Sequence, residues 1–220
     1  MHQTPRPSGP DPAAAPAAAL AACWSCRGPV DPASLFCATC KAVQPPSPID
    51  HFARLGLPAA FDVKVPVLEQ LYFGFQRQLH PDRFAGAVPK ARQISQSQAV
   101  AFNEAYETLK DPLTRATYLL KLRGLPIEGE GAHTIHDAGL LDEQMERREA
   151  LFEAVDAAAV EAIAAKARAD AAACIETVAA AFARGDLAAA RIGTLRLKYL
   201  VKLGEEARTR RARLAMAGTA

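Results

Sequence analysis

Between residues 65 and 110 the apolar positions recur with helical spacing. Leu68, Leu71, Tyr72, Phe75 and Leu79 fall at i, i+3, i+4, i+7 and i+11, one face of a helix. Pro81 has no amide hydrogen and disfavours helical geometry at the residue before it, so this helix should end near Leu79. His80 and Asp82 are then left in a loop. Ala99, Phe102, Tyr106 and Leu109 mark another helix on the far side. The pattern predicts helices near residues 49–55, 67–79 and 94–109, Pro66 being acceptable in a first turn whose amides are unpaired anyway. The last two should pack as an antiparallel hairpin with His80-Pro81-Asp82 at its open tip.

The second half reads differently. From Leu141 a mainly apolar stripe runs through Met145, Phe152, Val155, Ala159 and Ala162, with Arg148 its charged member and steps alternating four and three. Ile175, Val178 and Phe182 continue it after alanine-rich turns. Gly185-Asp186 is a stop and restart, and the last helix carries Ile192, Leu195, Tyr199 and Leu203 on one side. Short connections between long helices predict a three-helix bundle of coiled-coil type. Arginines 208, 210, 211 and 213, beside Glu205 and Glu206, are expected to form a solvated face.

Composition supports an all-helical reading. Of 220 residues half are hydrophobic, but much of that is alanine, and aromatics are 6%. Such a chain makes thin helical interfaces more readily than a broad sheet core. A net charge of +2 favours no polyanionic partner. No run reaches the roughly 20 apolar residues of a membrane span. Met1 to Ala22, rich in proline and alanine, cannot repay the entropy of ordering and reads as a disordered tail. It lacks the basic start and continuous apolar core of a secretory signal and fits an arginine-rich transit peptide badly. A bacterial-type cytoplasm is the first expectation and the mitochondrial matrix the second.

Cys23 and Cys26 form one C-x-x-C pair, Cys37 and Cys40 another. Each pair can fold as a knuckle, and four thiolates can converge on one tetrahedral ion; zinc is the first choice and iron the second. Four protein ligands leave no position for water, so the role is structural. Paired disulfides would need an oxidising compartment, and a redox C-x-x-C would need a strand–helix setting that is absent. Cys174, in an alanine-rich helix, reads as a buried, inert thiol. Gln44-Pro45-Pro46-Ser47-Pro48 is a stiff linker.

Taken alone, His80-Pro81-Asp82 is compatible with an ordinary turn. In the company of Phe52-Leu55-Gly56-Leu57, Asn103-Glu104-Ala105-Tyr106, Leu109-Lys110-Asp111-Pro112 and Arg115 it resembles a J-domain. Lys64 stands where that family has a capping acid or hydroxyl, for which Asp62 is the substitute. Tyr118 to Gly124, His133-Thr134, Asp137 and Leu140 to Glu149 are similar to the iron–sulfur co-chaperones typified by HscB, over about Ile49 to Leu203. The fold expected is mainly α: a J-domain hairpin and a C-terminal three-helix coiled-coil bundle, preceded by a small zinc-ribbon-like module. The boundaries are a tail at 1–20, the tetracysteine module at 21–44, the J-domain at 49–124, a connector with glycines 129 and 131 at 125–136, and the bundle at 137–216.

The resemblance implies a non-enzymatic co-chaperone. His80, Pro81 and Asp82, flanked by Arg77 and Arg83, would engage an Hsp70-family ATPase, HscA-like or DnaK-like, and stimulate its hydrolysis of ATP. An IscU-like scaffold protein would be held by Leu141, Met145, Glu146, Arg148, Glu149 and Tyr199, an apolar centre with a charged rim. Periodicity alone reads Leu141, Met145 and Tyr199 equally well as core. Asp142 departs from the large apolar residue frequent there and implies either a weaker patch or a compensating charge on the scaffold. The alternatives are a general J-protein handing unfolded clients to Hsp70 and, ranked below it, a nucleic-acid-binding ribbon, which Arg27 and Lys41 do not amount to. No nucleic acid and no membrane is expected as a partner.

Overall fold

The computed structural model describes residues 20–128 and 137–217. The tail up to residue 19, glycines 129 and 131, and His133-Thr134 lie outside the described residues. The chain divides into two compact units: one comprises the chain up to Ile49 with Gln76–Ala101, the other Asp50–Phe75 with Phe102–Ala220.

In the first unit, β1 (Ala21–Ala22) pairs antiparallel with β2 (Pro29–Val30), Ala21 opposite Val30, and Phe36 bridges Val43 in the same sense. Each narrow ladder closes over one C-x-x-C knuckle. Also in this unit are the end of α2 (Val65–Leu79), a 3₁₀ turn at Pro81–Phe84 and the start of α3 (Pro89–Lys110). The sequence pattern does not show the 3₁₀ turn, and α3 starts five residues before Ile94 because Pro89 serves as a first-turn residue. Its buried positions there are Ile94, Ser95 and Gln98. Ala99, expected inside, is exposed, and the polar Gln98 takes the inner column.

The second unit begins with α1 (His51–Arg54), capped by Asp50, whose Oδ1 accepts from the Ala53 amide at 2.9 Å. Lys64 ends up as the residue just before α2, its carbonyl taking the first amides, while Asp62 pairs with the Lys64 ammonium at 2.9 Å instead of capping. Tyr72 stacks on Tyr106 with centroids 4.1 Å apart and Phe75 on Phe102 at 4.2 Å, so the two helices run in opposite directions. The Tyr72 hydroxyl donates to Asn103 at 2.8 Å.

A further helix, α4 (Pro112–Leu122), is capped by Asp111 with Pro112 in the first turn. Its sequence resembles a domain exit and gives no strong stripe. It carries Arg115, buried, which donates to the carbonyls of Phe61 (2.9 Å) and Val63 (3.2 Å) and so pins the segment before α2. Phe61 stacks on Phe182, and Leu120 packs with Ala181 and Ala190.

The bundle is α5 (Ala138–Glu153), α6 (Ala157–Ala183) and α7 (Leu187–Ala217), capped by Asp137, Asp156 and Asp186. Gly185, at φ +72°, makes the turn between α6 and α7. In their seam Val160, Ala164, Ala167, Val178 and Ala181 of α6, mostly small, lie against Ala190, Thr194, Leu197, Leu200, Leu203 and Ala207 of α7. Buried Cys174 donates its thiol to the Gly193 carbonyl at 3.2 Å, and burial pushes its pKa up, as an inert thiol should behave.

Two expectations for the bundle are corrected. The inward column of α5 is Leu140, Gln144 and Leu151, one residue before the stripe, so Leu141, Met145 and Phe152 point outward. The stripe also ran across a break, since α5 stops at Glu153 and Val155 is exposed. Of the C-terminal arginines, Arg210 is not a solvated bystander. Its guanidinium donates to the Phe152 and Ala154 carbonyls at 2.7 Å, closing the end of α5. Ion pairs also join α5 to its neighbours: Glu143 meets Arg196 of α7 at 2.6 Å and, within α5, Arg147 at 2.6 Å, and Arg147 reaches Asp170 of α6 at 2.9 Å. Among the described residues no helix is long and apolar enough to cross a membrane.

Candidate functional sites

The tetracysteine site is built by two matching knuckles. In the first, the Arg27 amide donates to the Cys23 carbonyl at 3.0 Å and the Cys23 amide to the Gly28 carbonyl at 2.8 Å; in the second, Lys41 donates to Cys37 at 3.0 Å and Cys37 to Ala42 at 2.9 Å. Arg27 and Lys41 are left-handed, at φ 64° and 60°. The turns aim four sulfurs at one point, all within 4.8 Å of one another, with Cys23–Cys40 at 3.7 Å and Cys26–Cys37 at 3.8 Å. A tetrahedron with metal–sulfur bonds of about 2.3 Å has edges of about 3.8 Å, so the spacing fits zinc. A Cβ at Gly28 would stand 3.3 Å from Cys26 Sγ, so the site leaves little room for a larger residue there.

The electrostatics agree. The Cys26 amide, with help from Ser25, lowers the Cys23 thiol to about 6, and the Cys40 amide lowers Cys37. The Gly28 amide pulls Cys26 the same way but is outweighed by the neighbouring sulfurs, chiefly Cys40, which push it up to about 11. Four thiolates this close need a cation to ionise together, which is what a metal supplies.

In the hairpin loop, His80 and Asp82 side chains are 58% and 90% exposed. Leu79, at 3%, is the last buried residue of α2, and Pro81 starts the 3₁₀ turn. His80 Nδ1 accepts the Asp82 amide at 3.3 Å and lies 3.4 Å from the Asp82 carboxylate. Arg77 and Arg83 are exposed in the same unit.

On α5, Leu141 is 49% and Met145 71% exposed, beside exposed Glu146, Arg148 and Glu149. Arg148 pairs with Glu206 on α7 at 3.1 Å. Tyr199 on α7 is half-buried. The core reading of Leu141 and Met145 therefore does not hold. Phe152 (79%) and Val155 (84%) prolong the outward apolar surface, a feature hidden in the sequence by the assumption that apolar means inward.

A mainly helical chain with an exposed His-Pro-Asp turn between antiparallel helices, a C-terminal helical bundle and a four-cysteine knuckle belongs to the class of J-domain co-chaperones. The comparisons narrow this. The family model of the HscB C-terminal oligomerisation domain matches residues 136–208. The iron–sulfur cluster co-chaperone protein HscB of Mus musculus is 35% identical over 188 residues, 84% of this chain and 80% of that protein. A co-chaperone protein HscB homolog of Cupriavidus taiwanensis is 47% identical over 112 residues, 51% of this chain and 63% of that one. The crystal structure of human co-chaperone protein HscB superposes with a TM-score of 0.79 at 32% identity, covering 87% of this chain and 99% of the human one. The chain belongs to the HscB family of iron–sulfur cluster co-chaperones.

Proposed function

We propose that the protein brings an iron–sulfur scaffold protein to a dedicated Hsp70 and triggers ATP hydrolysis there. The chemistry takes place in the partner. The observation that carries the reading is the joint exposure of His80 and Asp82 on a turn fixed by Pro81, in a chain of this family. An exposed carboxylate accepts from a guanidinium, and an imidazole N–H donates to a carbonyl or carboxylate. Fixed on a turn, the two give the differential affinity needed to shift a two-state ATPase. Arg77 and Arg83 add positive charge for encounter with an acidic partner. In the test, His80→Gln or Asp82→Asn keeps the fold and removes at least nine-tenths of the stimulation of the partner ATPase. Undiminished stimulation by either variant refutes the assignment.

The scaffold is held on the outward face formed by Leu141, Met145, Glu146, Arg148 and Glu149, with Tyr199 of α7 completing it. An exposed apolar pair inside a charged rim is the composition of an interface centre. Leu141→Ala with Met145→Ala weakens scaffold binding at least tenfold, about 1.4 kcal/mol, while stimulation by the free co-chaperone persists. Unchanged affinity counts against this face.

The four cysteines hold one zinc ion in a structural role: when bound it cross-links the two knuckles, with no open position for chemistry. Metal analysis of reduced protein should give one equivalent per chain. The thiols call for a compartment that keeps them reduced, the bacterial cytoplasm before the mitochondrial matrix.

A further inference from the structure

Gln44 and Gln98 are buried polar side chains, 6% and 4% exposed. Gln44 closes the second knuckle: its amide nitrogen donates to Cys23 Sγ at 3.4 Å and to the Ala42 carbonyl at 2.7 Å, and its backbone amide donates to Leu35 at 2.9 Å. Its backbone carbonyl accepts from Gln98 Nε2 at 2.8 Å. Gln98 lies on α3, one turn beyond Ser95, whose buried hydroxyl donates to the carbonyl of Leu79 at 3.1 Å. Leu79 is the residue before His80. A second bridge runs in parallel: Trp24, between the first two cysteines, donates Nε1 to the Val43 carbonyl at 2.7 Å, and the Lys90 ammonium lies 5.1 Å from the centre of its ring. All these residues belong to one compact unit.

We propose that the tetracysteine module is a buttress of the His-Pro-Asp end of the hairpin, whose order then depends on metal occupancy, with Gln44 and Gln98 as the positioning residues. The proposal rests on the metal reading given above. Gln98 is poorly suited to any other task. Its Oε1 finds no partner among the described residues, so what holds its side chain is the Gln44 carbonyl. A buried amide held by a single acceptor is sensitive to that acceptor's position. Removing the cation takes away the one link that joins the four sulfurs, so the two knuckles are no longer fixed to each other. Residues 42–44 then lose their anchor at Cys23, and the start of α3 loses the group that orders it. The polar column at Ser95 and Gln98, where a hairpin would ordinarily carry apolar residues, is accounted for in this way.

The test uses the full chain, zinc-loaded or stripped with a chelator in the presence of a phosphine reductant, and reads amide hydrogen exchange. Stripping should speed exchange across residues 80–98 at least tenfold and leave α6 and α7 within twofold. In Gln98→Ala the metal should pass to a chromogenic chelator at least threefold faster, and the loaded-to-stripped difference across 80–98 should shrink below threefold. Gln98→Met keeps the volume without the donor and should behave alike, which guards against a cavity artefact. A wild-type chain that binds metal but exchanges equally in both states overturns the buttress alone. A chain that binds no metal overturns the metal reading and the buttress together. A Gln98→Met chain that still shows the full wild-type response removes Gln98 from the path.

Discussion

Two antiparallel seams in the second unit are closed in opposite ways. Between α2 and α3 the seam is aromatic, with Tyr72 on Tyr106 and Phe75 on Phe102. Between α6 and α7 alanine, valine and glycine of the two helices meet the leucines of α7, and a Cβ on Gly193 would stand 2.8 Å from Val178 Cγ2. Aromatic pegs hold backbones apart and leave space for a polar pair such as Tyr72 and Asn103. Small residues bring backbones together and leave almost none. The two seams should therefore fail in opposite directions, one on truncation and the other on enlargement.

The largest effect is expected at the aromatic seam. Phe102→Ala should destabilise by about 3–5 kcal/mol in denaturant unfolding. Gly193→Val should cost about 1–3 kcal/mol by overpacking. Should Gly193→Val prove neutral, the close approach of α6 and α7 is not what holds that seam. Asp111→Ala, which removes the cap of α4 without touching either seam, should cost about 1 kcal/mol.

A smaller effect concerns pH. His51 stacks on Tyr118 at 4.4 Å, and burial, aided by Arg54, lowers its pKa below the ordinary value. The unfolded chain therefore takes the proton first. The contribution is fully present above about pH 6.5 and is lost as pH falls through the folded-state value. A His51→Gln chain should show a shallower loss of stability on acidification below that point. The smallest effect is expected outside both seams: His80→Gln should change stability by less than about 0.5 kcal/mol, even as stimulation of the partner disappears.

What the sequence made legible follows from where the strongest local rules act. Proline stops α2 at Leu79, and a cysteine spacing leaves one sensible convergence, so the exposed turn and the sulfur cluster were readable in advance. The inner column of α5 was not, because Leu140 and Leu141 are adjacent and equally apolar. Leu140 shares its face of α5 with Glu143 and Arg147, which pair with Arg196 of α7 and Asp170 of α6, and Leu141 does not. Gln98 was passed over for Ala99 because its partner is a backbone carbonyl 54 residues earlier, a group that no side-chain pattern displays. The roles of Arg115 and Arg210 are hidden for the same reason, since both spend their guanidinium on main-chain oxygens. The helix α4 is not legible in the pattern because its apolar residues form no strong stripe, although Asp111-Pro112 supplies its cap and first turn.

The left-handed residues at the two knuckles have a consequence for proteolysis. Both are exposed, one an arginine and the other a lysine, each in a backbone state that costs a side-chain-bearing residue about 1–2 kcal/mol. On the metal reading proposed above, a bound ion would hold that geometry, and without it both would relax toward the extended form that a protease accepts. Trypsin, which cuts after these residue types, should spare the loaded chain at Arg27 and Lys41 and nick the bare one at both, so that a pair of cuts fourteen residues apart marks a knuckle that has lost its ion.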